Sequence, residues 1–207
     1  MLSRDFFRSD ATILGKKLLG KILIRKIDGI TIKAKIVETE AYMGKDDMAS
    51  HNYGDKITDR NKIMYMDGGS LYIYQTYGIH FLMNIVSGEK NIGQAVLIRA
   101  VEIIQGLEKA SFLRYKKPYN SLTAYQKKNF TNGPGKLTKA LGIDKTMNGK
   151  DIFSKNLYIE EGSCNFETIT DKRIGIDYAK QARDYPYRFY IKDNPCVSKI
   201  KPIDSLG

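Results

Sequence analysis

Asp28-Gly29 stands between two runs of strand-forming residues, Lys21–Lys26 and Ile30–Glu38. The dipeptide suits a type I′ turn, which needs positive φ at both central positions and matches the twist of paired strands. A β-hairpin near the start of the chain follows. Its second arm alternates from Ile32 to Val37 and ends on Glu38 and Glu40. If that arm is regular, both carboxylates leave on the same face. Tyr42 and His51, the first of only two histidines, come soon after. Carboxylates at a strand end, then an aromatic and a histidine, have the make-up of a site rather than a core. The plainer alternative is a solvated strand edge.

Elsewhere the pattern predicts a helix after Ser9-Asp10, with Ile13, Leu14, Leu18 and Leu19 on one side. Residues 45–69 are polar and contain Gly54, Gly68 and Gly69, which reads as a long loop of the kind that usually serves function. Leu71–Tyr74, Phe81–Val86 and Ala95–Val101 read as strands. The middle one is nearly continuous in apolar residues and so is expected to be buried on both faces. In the less regular second half, Leu137–Leu141 reads as helical with Gly142 as its stop. Asp177–Arg183 reads as a short helix and Arg188–Lys192 as a late strand. No repeat, low-complexity tract or linker divides the chain, so residues 1–207 are expected to form one mixed α/β domain.

The net charge of +11 is unevenly placed. Between Gly106 and Lys150, ten Lys and Arg stand against Glu108 and Asp144. Such a segment is either a solvated basic face or a surface for an anionic polymer, whose phosphates reward clustered cations by counterion release. A membrane surface fits less well, since no basic helix here has a strong apolar face. No run of about 18 apolar residues occurs. The N-terminus lacks the apolar core of a signal peptide. Cys164 and Cys196 have no metal-ligand spacing with each other or with histidine. They fit a reduced, intracellular compartment, with a single disulfide left open. No cofactor is expected.

Arg99 interrupts the apolar run Ala95–Val101, where a charge is costly unless it meets a partner. A carboxylate from the first hairpin is the natural one; the pair would be structural, or would hold a catalytic carboxylate ionised. Asn84 poses the same choice between a satisfied core amide and a polar group lining a pocket. Tyr72 and Tyr74 share a strand face, whereas Tyr77-Gly78 reads as a turn tip, where an aromatic is harder to explain as packing. In a basic protein, exposed tyrosines suggest stacking on bases or insertion between them. Asn132-Gly-Pro-Gly-Lys136 precedes a helix and would expose backbone N–H groups to a phosphate.

Taken together, Leu18-Leu-Gly-Lys21, Ile36-Val-Glu-Thr-Glu-Ala-Tyr42, Ala49-Ser-His51, Arg60-Asn61, Leu71-Tyr-Ile-Tyr74, Tyr77-Gly78, Met83-Asn84, Val96-Leu-Ile-Arg99, Gly133-Pro-Gly-Lys136 and Arg188-Phe-Tyr190 resemble the alkyladenine (3-methyladenine) DNA glycosylases. The resemblance implies a single α+β domain around a curved antiparallel sheet with flanking helices. It implies that Glu40 is the general base and that Arg99 holds the attacking water and the carboxylate. By the same resemblance, Tyr42, His51 and Tyr74 wall a pocket for a flipped base. Ala49 would meet the base edge, and Asn84 would exclude normal guanine. Tyr77 would wedge into the base stack, and Thr58, Ile79, His80, Gly135 and Lys136 would contact DNA. Asp59, an added negative charge, and Gly135, in place of a small polar residue, depart from the family pattern.

The implied activity is hydrolysis of the glycosidic bond of alkylated or deaminated purines in double-stranded DNA. The product would be an abasic site with no strand cleavage. The implied molecule is a monomer without metal, working in the cytoplasm or nucleoid if bacterial. A non-catalytic protein that binds damaged DNA is the rival reading, and an RNA-processing enzyme a third. Glu40 argues against a pure binder, which has no use for a carboxylate beside a phosphate-rich ligand.

Overall fold

The computed structural model of the protein describes residues 1–198. Helix α1 covers Ala11–Leu18, and the Asp10 side chain caps it by accepting from the Thr12 amide at 2.8 Å. Leu14, Leu18 and Leu19 enter the core as expected, but Ile13 is 49% exposed. The apolar stripe is thus narrower than the periodicity suggested.

Strands β1 (Ile22–Ile27) and β2 (Ile30–Tyr42) form the expected hairpin. Asp28 and Gly29 both take positive φ, 49° and 73°, as a type I′ turn requires. A second hairpin joins β3 (Leu71–Thr76) to β4 (His80–Ser87), and β5 (Gln94–Gln105) follows. The C-terminal half of β4, Met83–Ser87, is buried on both faces; its first residues are only partly covered. β6 (Leu157–Glu160), β7 (Thr168–Asp171) and β8 (Arg188–Ile191) complete one sheet, in which every pairing is antiparallel. Its main order is β3-β4-β5-β2-β1-β6, with β8 pairing β2 and β7. The long β2 therefore has β5 on one side and, on the other, β1 at its start and β8 at its end. The protein is an α+β domain built on a curled antiparallel sheet.

Helix α2 spans Leu107–Tyr115, α3 Ala124–Lys128 and α4 Pro134–Leu141. Of these only α4 was legible, and Gly142 ends it in the left-handed conformation as expected. Two further segments match their expected class but carry detail the pattern did not show. The short helix expected at Asp177–Arg183 is present as 3₁₀ backbone running to Asp184, broken where Lys180 takes φ 47° and ψ −125°. The loop of residues 45–69 contains three short 3₁₀ turns and buries Asp47, Asn52 and Asn61. Both cysteines are free.

One face of the sheet is closed by α1. Thr39 donates its hydroxyl to the Gly15 carbonyl at 2.8 Å, and Phe189 packs so close to Gly15 that a Cβ there would lie 2.9 Å from its ring. Glu38 and Glu40 flank Thr39 in sequence and so point to the opposite face.

Candidate active site

The register of five strands sets Tyr72, Asn84, Leu97, Glu40 and Arg188 side by side in one row across β3, β4, β5, β2 and β8. Period-two alternation then adds Tyr74, Leu82, Arg99, Glu38 and Tyr42 to the same face. A cleft of about 590 Å³ opens above this face. Tyr42, Ala49, His51, Tyr74, Asn84 and Arg99 line it, as do Arg60 and the start of α4 from Gly133 to Lys136.

Glu40 lies beneath the floor of this cleft, with no exposed surface. One oxygen accepts from the Ile174 amide at 2.8 Å and lies 3.4 Å from Arg99 Nη1; the other accepts from the Tyr42 hydroxyl at 3.0 Å. Arg99 and Tyr42 both line the cleft, so the carboxylate is separated from it by single side chains. Burial pushes the Glu40 pKa up, and it outweighs the opposing pull of Arg99, the Ile174 amide and Tyr42.

Glu38 plays a different part. β2 is bulged here, with register shifts on both sides of Glu38, yet Glu38 and Glu40 still meet the same arginine. Glu38 accepts from Arg188 Nη1 at 2.9 Å and from the Ser198 amide at 2.8 Å, and lies 3.4 Å from Arg99 Nε. Arg188 is also paired with Asp171. These buried charges are balanced by neighbours, which burial demands.

The cleft walls are aromatic. His51 and Tyr74 meet edge to face at 4.6 Å, and Tyr72 lies 5.4 Å from Tyr74. His51 Nδ1 is 2.7 Å from the Tyr72 hydroxyl. Burial, aided by the nearby Arg60 charge, lowers the His51 pKa to about 4, so the ring is neutral at physiological pH. Asn84 donates to the Tyr72 carbonyl at 3.0 Å while lining the cleft. Its two roles, satisfied amide and lining group, coexist.

Tyr77 occupies the tip of the β3–β4 hairpin, 90% exposed. Tyr77 and Gly78 both have positive φ, 50° and 69°, so this too is a type I′ turn. Tyrosine has no intrinsic liking for that conformation, and strain of this kind gathers at functional positions. Ile79 beside it is 63% exposed, giving the tip an apolar character.

The basic start of α4 adjoins the cleft. Lys136 donates to Asn129 and Asn132, at 3.0 and 2.7 Å, and a Cβ on Gly135 would come within 2.9 Å of His80. Thr58 and Ile79 do not line the cleft. Thr58 instead closes a turn with Asn61, and Asp59 is paired with Lys62 at 2.9 Å.

Several residues here escaped the sequence reading. Arg173 is fully buried, forms a two-pronged pair with Asp47 at 2.5 and 2.8 Å, and lies over the rings of Tyr42 and Tyr187 at 4.8 and 5.3 Å. It thereby fixes the back of Tyr42. Arg114 lines the cleft with Nε and Nη1 buried and, among the described residues, without a hydrogen-bond partner. Ile174 and Tyr178 come from a segment with no regular pattern; only the pairing of a lone arginine with Asp47 would have signalled it. Among the described residues no group of three or more His, Cys, Asp or Glu side chains could hold a metal ion, and no helix is long and apolar enough to cross a membrane.

The family model described as Methylpurine-DNA glycosylase (MPG) matches residues 5–195. Similar proteins bear the name "Putative 3-methyladenine DNA glycosylase". One, from Clostridium perfringens (strain 13 / Type A), is 52% identical over 202 residues, covering 96% of this chain and 98% of its own. Another, from Clostridium novyi (strain NT), is 50% identical over 198 residues, covering 96% and 98%. A third, from Desulfitobacterium hafniense (strain Y51), is 46% identical over 198 residues, covering 95% and 98%.

Proposed function

The chain belongs to the methylpurine-DNA glycosylase family, and from that premise we propose that it turns damaged purines out of duplex DNA and hydrolyses their glycosidic bond. The observation that carries this reading is a buried carboxylate, Glu40, held under an aromatic cleft by Arg99, Tyr42 and a backbone amide.

A base inside a duplex is unreachable, so it must first leave the stack at a cost of a few kcal/mol, least for damaged pairs. Tyr77 enters the gap from its exposed tip. The flipped purine then stacks among Tyr42, His51 and Tyr74, with the Ala49–His51 backbone at its edge and Asn84 crowding the amine of normal guanine. Alkylation at N3 or N7 makes the purine cationic and so a better leaving group. As the bond to C1′ breaks, the sugar takes on oxocarbenium character. Glu40 stabilises that charge and accepts the proton of the attacking water, while Arg99 orients both. Among the described residues Lys136 is the only lysine lining the cleft, and its amine is tied to two asparagines. Base release without strand cleavage fits that arrangement.

A set of duplexes, each with one lesion and assayed for abasic sites, tests the reading. Release of at least one alkylated or deaminated purine is expected; tight retention with no release would favour the non-catalytic rival.

The acid limb of activity should belong to Glu40. Its raised pKa means that the base is lost as pH falls through a value above the ordinary carboxylate figure of 4.5. His51, titrating at about 4, stays neutral over that range. By the same sign, ionising Glu40 weakens the native state as pH rises past the ordinary carboxylate value. Single-turnover rates on a 7-methylguanine duplex should show the midpoint above 4.5. A rate still level below pH 4.5 would contradict the assignment.

Binding should weaken steeply with salt. About five phosphate contacts give a log–log slope near −4. Arg114, whose buried nitrogens have no hydrogen-bond partner among the described residues, and the α4 start are suited to one of those phosphates. Arg114→Ala should make the slope shallower by about 1. A wild-type slope near zero would remove the basic segment from the DNA surface.

A further inference from the structure

Five arginines line or back the cleft. Arg99, Arg173 and Arg188 are committed to carboxylates. Arg60 is not: among the described residues it forms no ion pair, and its neighbour Asp59 is taken by Lys62. Its guanidinium carbon lies 5.6 Å from the centroid of the Tyr74 ring, within cation–π reach, on the wall where a base would stack. The Arg60 charge is felt there: it helps to lower the His51 pKa and opposes the upward push of burial on Tyr72 and Tyr74.

We propose that Arg60 is a specificity-determining residue, whose fixed positive charge against Tyr74 favours release of neutral deaminated or bridged purines over purines made cationic by alkylation. This rests on the glycosylase reading and deepens it. In either case the C1′–N9 bond breaks with its electron pair going to N9, water oxygen bonds to C1′, and the water proton passes to Glu40. A neutral purine gains negative charge as it departs, and a nearby cation stabilises that change. A cationic purine instead ends neutral. It gains no such stabilisation, is repelled on entry, and meets a Tyr74 face already occupied by a guanidinium.

The test is single-turnover release, at saturating enzyme, of hypoxanthine and of 7-methylguanine from matched duplexes by the wild type, Arg60→Gln and Arg60→Lys. Arg60→Gln should lower the hypoxanthine to 7-methylguanine rate ratio about tenfold, as expected for a unit charge acting on a partly developed one across roughly 6 Å. Arg60→Lys should keep most of the ratio. Arg60 is exposed, so melting temperatures of both variants should match the wild type. Equal losses on both lesions, or an unchanged ratio, would overturn the proposal and make Arg60 a general DNA contact. A wild type that released no base from any lesion duplex would instead overturn the glycosylase reading itself.

Discussion

Glu40→Gln should abolish base release while leaving lesion binding intact or tighter. A general base contributes about 10²- to 10⁴-fold, and the negative charge beside C1′ adds to that, so a loss of about a thousandfold or more is expected. Glutamine nearly matches glutamate in shape and can still accept from the Ile174 amide. It removes a negative charge whose folded pKa burial has already raised, so the native state should not be weakened much. Arg99 would keep Glu38 as a partner. Single-turnover rates with a binding titration decide the matter. Near-normal turnover would end the case for Glu40 as base; lost binding together with a lower melting temperature would make it a structural residue.

Tyr77→Ala should lower the flipped fraction by about tenfold or more, part of the few kcal/mol that unstacking requires. A mispaired or bulged lesion, already partly unstacked, should suffer less than a well-paired one. Folding should be untouched, because the side chain is 90% exposed. Tyr77→Gly should even raise the melting temperature slightly, since glycine accepts the φ of 50° without strain. A core tyrosine would behave otherwise, losing roughly 3 kcal/mol or more on truncation. Thermal melting and a fluorescent-base flipping assay separate the two. A large melting shift with unchanged flipping per folded molecule would place the wedge elsewhere.

What the sequence disclosed depended on how local the cause was. Both type I′ hairpins rest on adjacent residues: Asp28-Gly29 is legible as a type I′ turn, and Tyr77-Gly78 as a turn tip. Arg99 in an apolar strand announced that it needed a carboxylate, and Glu38 and Glu40 both supply one. Ile174, Arg173 and Arg114 were illegible for the opposite reason. Their roles come from chain segments that meet only in three dimensions, such as Asp47 with Arg173 across 126 positions. Asp177–Asp184 is a short helix, as its spacing suggests, but its docking against Ala49 and Arg173, with a kinked 3₁₀ path, has no local signal.

The fork in β2 has a consequence for how the chain is made. Synthesis delivers β1 to β5 first, and these strands can pair as soon as they emerge. Glu38 must then wait 150 positions for Arg188, and 160 for the amide of Ser198. Until β8 arrives, two carboxylates share Arg99 alone, and closing so native a sheet over them would strand an unbalanced charge. A nascent chain halted before Arg188 should therefore keep the end of β2 solvated and open to proteolysis. The charged floor of the cleft would then be closed only once β8 has joined the sheet.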